Sequence, residues 1–142
     1  MNQDEAAKQN RTIRSYRDLK AWQKARSLVK RIYGATGIFP KEELYGLARQ
    51  LRRAAVSVPS NIAEGYGRGA LRDYVRFLEI ARGSLYEIDT QVVVAQDLGY
   101  LTAPQAASLG GDVDECSRVL QGLISSLNRK KDQRKARKSS EA

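Results

Sequence analysis

From Leu71 to Ala95, apolar residues return at alternating intervals of three and four: Leu71, Tyr74, Leu78, Ala81, Leu85, Ile88, Val92 and Ala95. A half-buried strand would need a period of two, whereas this spacing keeps every one of these residues on one side of an α-helix. At about 3.6 residues per turn the run covers roughly seven turns. A helix that long with a single apolar stripe must bury the stripe against other elements, so the rest of the chain has to supply them.

Three further segments have the same rhythm. The first opens at Ser15 with Asp18 three residues on, a capping-box spacing. Its stripe is Trp22, Ala25, Val29 and Ile32, broadened by Leu28 and Tyr33, and Gly34 and Gly37 weaken its end. The second is expected to begin at Pro40, whose fixed φ suits a first helical turn, with Glu42 and Glu43 complementing the helix dipole. Leu44, Leu47, Leu51, Ala54 and Val58 carry its seam, and the next step places Asn61 on it. Pro59 lies inside this helix, and Gly65-Tyr66-Gly67-Arg68-Gly69 closes it. Gly99 stops the long third helix. The fourth starts at Thr102, with Pro104 in its first turn and Gln105 completing a second capping box, and its seam is Leu109, Val113, Cys116, Leu120, Leu123 and Leu127. Four such helices on short connections predict an all-α chain, an antiparallel up-down-up-down four-helix bundle. Val75, Phe77, Ile80, Val93 and Val94 fall off the third helix's main seam, which predicts a subunit interface there.

The 142 residues suit one folded domain, expected over residues 15–128, with a flexible polar arm over 1–14 and a basic, disordered tail over 129–142. The net charge of +9 is uneven. In the tail, Arg129, Lys130, Lys131, Arg134, Lys135, Arg137 and Lys138 face only Asp132 and Glu141. The bundle carries fifteen basic against twelve acidic residues. No apolar run approaches the roughly 18 residues of a membrane span, and the first fourteen residues hold no hydrophobic secretory segment. The single cysteine suits a reducing cytoplasm.

With no histidine, the commonest general base and metal ligand are both missing, and with them Ser-His-Asp and Cys-His constellations, the usual zinc sites and the arginine–histidine signature of small helical ribonucleases. Cys116 reads as a small core residue. Asp112, Asp114 and Glu115 point in different directions and read as a solvated acidic face. The glycine-rich segment after the second helix follows no strand and lacks the Gly-Lys-Ser/Thr ending of a phosphate loop. No enzyme activity, metal or cofactor is therefore expected. Asn61 and Glu64 form a polar seam, with Arg52, Arg53 and Arg68 as expected partners that would fix register or oligomeric state.

Basic residues fall in stripes. Arg17, Lys24 and Arg31 lie seven apart on the first helix beside Lys20; Arg49, Arg52 and Arg53 cluster on the second; Arg68, Arg72 and Arg76 step by four into the third. Tyr66 and Tyr86 offer stacking surfaces. An ordinary solvated surface and a phosphate-binding one both remain open, the second with Arg52, Arg53, Arg68, Arg72, Arg76, Lys20 and Lys24 as contacts to RNA or DNA.

The order of residues is also familiar. Leu19-x-x-Trp22 precedes Phe39-Pro40-x-Glu42-Glu43-x-Tyr45-Gly46-Leu47-x-x-Gln50-Leu51-Arg52-Arg53-Ala54, then Val58-Pro59-Ser60-Asn61-Ile62-Ala63-Glu64-Gly65-Tyr66-Gly67-Arg68 and Phe77-Leu78-x-x-Ala81-x-Gly83-Ser84-x-x-Glu87. From about Tyr16 to Asn128 this closely resembles the four-helix bundle proteins encoded by intervening sequences of bacterial 23S ribosomal RNA genes, most specifically in Asn-Ile-Ala-Glu-Gly. Gly69-Ala70 departs from the serine such proteins usually place before the third helix, and the basic tail lies outside the resemblance. The resemblance implies a homopentameric ring of bundles without enzyme activity. A related branch, the accessory variability proteins of diversity-generating retroelements, implies a second expectation: a scaffold that docks a reverse transcriptase and its RNA.

Overall fold

A computed structural model describes residues 13–141, so the expected N-terminal arm lies almost wholly outside the described residues. Those residues are helical, with no strand among them. Helix α1 runs Lys20–Thr36, α2 Leu47–Tyr66, α3 Leu71–Asp97 and α4 Ala103–Glu141, with 3-10 turns at Tyr16–Asp18 and Lys41–Glu43. Helix α1 packs on α2 and α4, α2 on α3, and α3 on α4. Each helix thus has two neighbours around one continuous apolar core, a four-helix bundle.

The capping chemistry explains where the helices start. The Ser15 hydroxyl accepts from the Arg17 amide at 3.1 Å, and the Asp18 carboxylate accepts from the Arg14 and Ser15 amides at 2.9 and 3.2 Å. This cap serves the 3-10 turn; Leu19 is extended, and α1 starts only at Lys20. The Thr102–Gln105 box is reciprocal, at 2.9 and 3.3 Å.

Helix α2 does not begin at Pro40. Pro40 is extended, Lys41–Glu43 form a single 3-10 turn, and Gly46 (φ −108°, ψ −117°) is far from helical, so the expected continuous helix is broken there. Glu43 lies upstream of α2 and caps it from outside, one carboxylate oxygen accepting from the Leu47 amide at 2.8 Å and the other from the Tyr100 hydroxyl at 3.1 Å. Leu44, expected on the seam, is consequently exposed and Leu47 half-buried.

Along α3 the seam is buried from Leu78 through Ala95, while Leu71 and Tyr74 are half-buried. Gly99, at φ +77°, takes the left-handed conformation that ends the helix. Val75 is also buried and Phe77 half-buried, so these two need no second subunit. Ile80, Val93 and Val94 are exposed, as are Tyr86 and Leu98. In α4 the seam passes through Ile124 rather than Leu123. Beyond Leu127 none of the described residues is buried, yet the helix continues to Glu141 where a disordered tail is expected. Extending a formed helix adds a hydrogen bond per residue without a new nucleus, and Arg, Lys, Gln and Ala are good helix formers.

Candidate nucleic-acid interface

The buried stripe of α1 is Ala21, Ala25, Leu28, Ile32 and Thr36. One position on, at the same three–four spacing, Trp22, Arg26, Val29 and Tyr33 form a second stripe at the edge of the core. Helix α2 sets Val56 and Pro59 opposite it. The hollow between them is about 440 Å³ and adjoins one of about 760 Å³, both lined by Tyr33 and Val56. The larger part adds Leu44, Tyr45, Arg49, Arg52, Arg53, Ser57 and Ser60.

Five cations line this groove, Arg26, Lys30, Arg49, Arg52 and Arg53, and no carboxylate does. Among the described residues none of the five is in an ion pair. Two guanidiniums lie over aromatic rings, Arg26 over Trp22 at 5.6 Å and Arg52 over Tyr33 at 4.6 Å. Arg52 is further fixed by its Nε donating to the Thr36 hydroxyl at 2.9 Å, while that hydroxyl donates to the Ile32 carbonyl at 2.7 Å. Tyr45, 80% exposed, stands free at the mouth. The arrangement presents positive charge with no carboxylate beside it and, at Tyr45, an aromatic ring that no guanidinium among the described residues covers.

The arginines expected to act together fall into two groups. Arg52 and Arg53 lie on the groove. Arg68 and Arg76 instead flank Phe77, at 4.9 and 5.0 Å from its ring, with Arg72 exposed between them in sequence. Thirteen residues of α2, about 20 Å at 1.5 Å per residue, carry the chain from Arg53 to Tyr66, and Arg68 lies in the turn beyond. Arg68 also pairs with Glu64 at 2.8 Å.

Lys20 and Lys24 are on the opposite edge of α1. Lys24 pairs with Glu115 and Arg31 with Asp112. Two of the three acidic residues of α4 read as a solvated face, Asp112 and Glu115, are therefore partners of the α1 stripe. The Lys24 hydrogen bond is the main reason the Glu115 carboxyl lies below its ordinary value of 4.5, with Arg118 and Lys20 adding to it.

Asn61 does not hold the core position expected of it. The seam steps from Val58 to Ile62, which is fully buried, and Asn61 is half-buried beside it. Its amide donates to the Ser57 carbonyl and hydroxyl at 2.8 and 2.9 Å, and the Ser57 hydroxyl meets that of Ser84 at 2.9 Å. No arginine partners Asn61 among the described residues. Tyr66, expected as a stacking surface, packs edge-on against Tyr74 at 6.1 Å; burial pushes the Tyr74 phenol up to about 12. Trp22, Arg26, Tyr33, Tyr45 and Val56 are groove residues that sequence reading misses. For the three on α1 the only signal is a stripe wider than one core face requires; Tyr45 and Val56, outside α1, give none.

Cys116 is buried in the core. Among the described residues no three of Cys, Asp and Glu are placed to hold a metal, and no helix is long and apolar enough to cross a membrane.

These features define a class, a helical bundle with a cationic, aromatic-lined groove between two of its helices. Residues 17–122 match the 23S rRNA-intervening sequence protein family, and the chain belongs to that family. The fold is similar to the crystal structure, at 1.70 Å resolution, of a protein of unknown function from the S23 ribosomal protein family of Bacteroides thetaiotaomicron VPI-5482. The two are 22% identical with a TM-score of 0.69, over 74% of this chain and 95% of that one. No curated protein matches this chain significantly.

Proposed function

We propose that this chain is a non-catalytic, homo-oligomeric protein that binds unpaired RNA or DNA in the α1–α2 groove, in a reducing compartment where Cys116 stays a thiol. The observation that carries this reading is the groove lining, five cations and three aromatic rings without a carboxylate. Phosphates gain from the cations through counterion release, and bases gain from the rings by stacking, with little dependence on sequence. Arg52, held by Tyr33 and Thr36, adds fixed charge to the groove wall, and Arg49, Arg53 and Tyr45 meet the ligand. Arg68, Arg72 and Arg76 form a second, separate cationic cluster.

The bundle is antiparallel in this reading. Ser57 meets Ser84, whereas Gly65, farther along α2, abuts Tyr74 and Phe77, which lie earlier on α3. The exposed Ile80, Tyr86, Val93 and Val94 on α3, with Leu98 just past its end, are the surface for further copies, arranged in the pentameric ring that the family resemblance implies.

The test is titration of the full chain against a labelled single strand of about 20 nucleotides at several salt concentrations. Tyr45→Ala should lose about 1–3 kcal/mol if one base stacks there. Arg49→Gln and Arg53→Gln should each flatten the plot of log affinity against log salt by about 0.7. Lys24→Gln, outside the groove, should change neither. Equal binding by all four variants and wild type overturns the groove, and no binding even at low salt overturns the function.

A further inference from the structure

After Leu127 the helix α4 leaves the core and continues to Glu141 with every residue from Arg129 exposed. This stretch lies beyond the residues that match the family. Its side chains are sorted around the axis. At about 100° per residue, Lys130, Lys131, Arg134, Lys135, Arg137 and Lys138 fall within an arc of about 160°. Asp132, Gln133, Ala136, Ser139 and Ser140 occupy the remainder with one further cation, Arg129, and Glu141, in the last turn, falls inside the cationic arc between Lys130 and Arg134. Charge alone would not require such sorting, since a solubilising segment works equally well with cations on every side.

We propose that this arm lies in the major groove of B-form DNA. It rests on the preceding reading only in that both require a nucleic-acid ligand; the surface is a different one, and the ligand is a duplex rather than a single strand. Three features select the occupant. The arm is a single helix about 10–12 Å across, and the B-form major groove, about 12 Å wide, admits one. Phosphates line both walls of that groove, so a helix seated in it needs cations on two widely separated flanks. Lys130 and Arg137 mark one edge of the arc and Lys131 and Lys135 the other. The A-form major groove of duplex RNA is too deep and narrow for side chains to read, which removes that partner. A helix lying in a membrane interface needs an apolar face, and Ala136 is the arm's one aliphatic residue. Because the arm continues α4 without a break, its first turns inherit their orientation from the bundle, so less ordering is left for binding to impose.

The experiment compares the full wild-type chain with the variant Lys131→Gln, Arg134→Gln, Lys135→Gln and Lys138→Gln, which keeps good helix formers and touches nothing in the core. Each binds a 20-base-pair DNA duplex, the equivalent RNA duplex, and vesicles of mixed phosphatidylserine and phosphatidylcholine. Each phosphate contact contributes about 0.9 to the salt slope on B-form DNA, so the four substitutions should flatten it by about 3 to 4. Wild type should prefer the DNA duplex to the RNA duplex and to vesicles, and the variant should lose that preference. An unchanged slope on DNA, an equal loss on RNA, or tighter binding to vesicles overturns the proposal. The single-strand titration separates the two readings, because the variant keeps groove binding if only the arm is wrong, and groove variants keep the duplex slope if only the groove is wrong.

Discussion

Gly65 gives the sharpest test of how α2 and α3 pack. It is buried, and a Cβ built there would lie 2.9 Å from the Phe77 Cβ and 3.1 Å from both the Tyr74 carbonyl oxygen and a Tyr74 ring carbon. Two of these three atoms belong to or adjoin the α3 backbone, so they cannot rotate aside and the helices must part. Two effects of Gly65→Ala then compete. Alanine is favoured in a helix interior by about 1 kcal/mol, while overpacking costs about 1–3 kcal/mol. The balance is a loss of about 1 kcal/mol. Gly122 is the control, exposed in α4 with nothing within 4 Å of its Cβ position. Gly122→Ala should gain about 0.5–1 kcal/mol. The same substitution should thus move stability in opposite directions, with a gap of about 2 kcal/mol. At about 2–4 °C per kcal/mol for a chain of this size, the Tm values should differ by about 4–8 °C. Thermal and urea unfolding followed by circular dichroism, at one protein concentration because self-association shifts midpoints, measures it. A Gly65→Ala variant at least as stable as wild type, beside a stabilised Gly122→Ala, refutes the close approach.

Leu78 is fully buried, and Leu78→Ala should cost about 2–5 kcal/mol in urea unfolding. Burial, aided by the Glu115 charge and opposed by Lys24, pushes the Cys116 thiol up to about 11, leaving about one thiolate in a thousand at pH 8. Disulfide-exchange reagents should label it fast only in denaturant, and fast labelling of the folded protein contradicts the burial. The Glu115 carboxyl is lowered in the folded state, so its contribution to stability is complete above about pH 4.5 and disappears as pH falls through the lowered value. Glu115→Gln should therefore be less stable than wild type near neutrality and match it in strong acid; a constant difference across that range excludes the linkage.

Four helices and most of their core are readable from spacing alone because each stripe is a local pattern. Leu78 through Ala95 and Leu109 through Leu120 are buried as the three–four rhythm requires. The Ser15 and Thr102 caps are likewise local. Errors arise where a distant residue decides. Glu43 caps Leu47 and binds Tyr100, so acids read as the first turn of a helix lie ahead of it. Asn61 follows Val58 by three and Ile62 by four, and both steps suit a helix; only the position of α3 selects Ile62. The candidate interface was the least readable part. Lys24 and Glu115 are 91 residues apart, so nothing local shows that this α1 cation is neutralised while Arg26 and Lys30 are not. Arg52 and Arg53 are adjacent in sequence, yet one is held by Tyr33 and Thr36 and the other is exposed.

The two oxygens of the Glu43 carboxylate engage different parts of the chain, one the start of α2 and the other the turn between α3 and α4. The carboxylate couples the two connections, and they are expected to exchange as one cooperative unit. Tyr45, two residues from Glu43, lies in the first of these connections. A ligand that seats on Tyr45 would slow amide exchange around Tyr100, which lines neither part of the groove, and that distant protection would report occupancy without any change of fold.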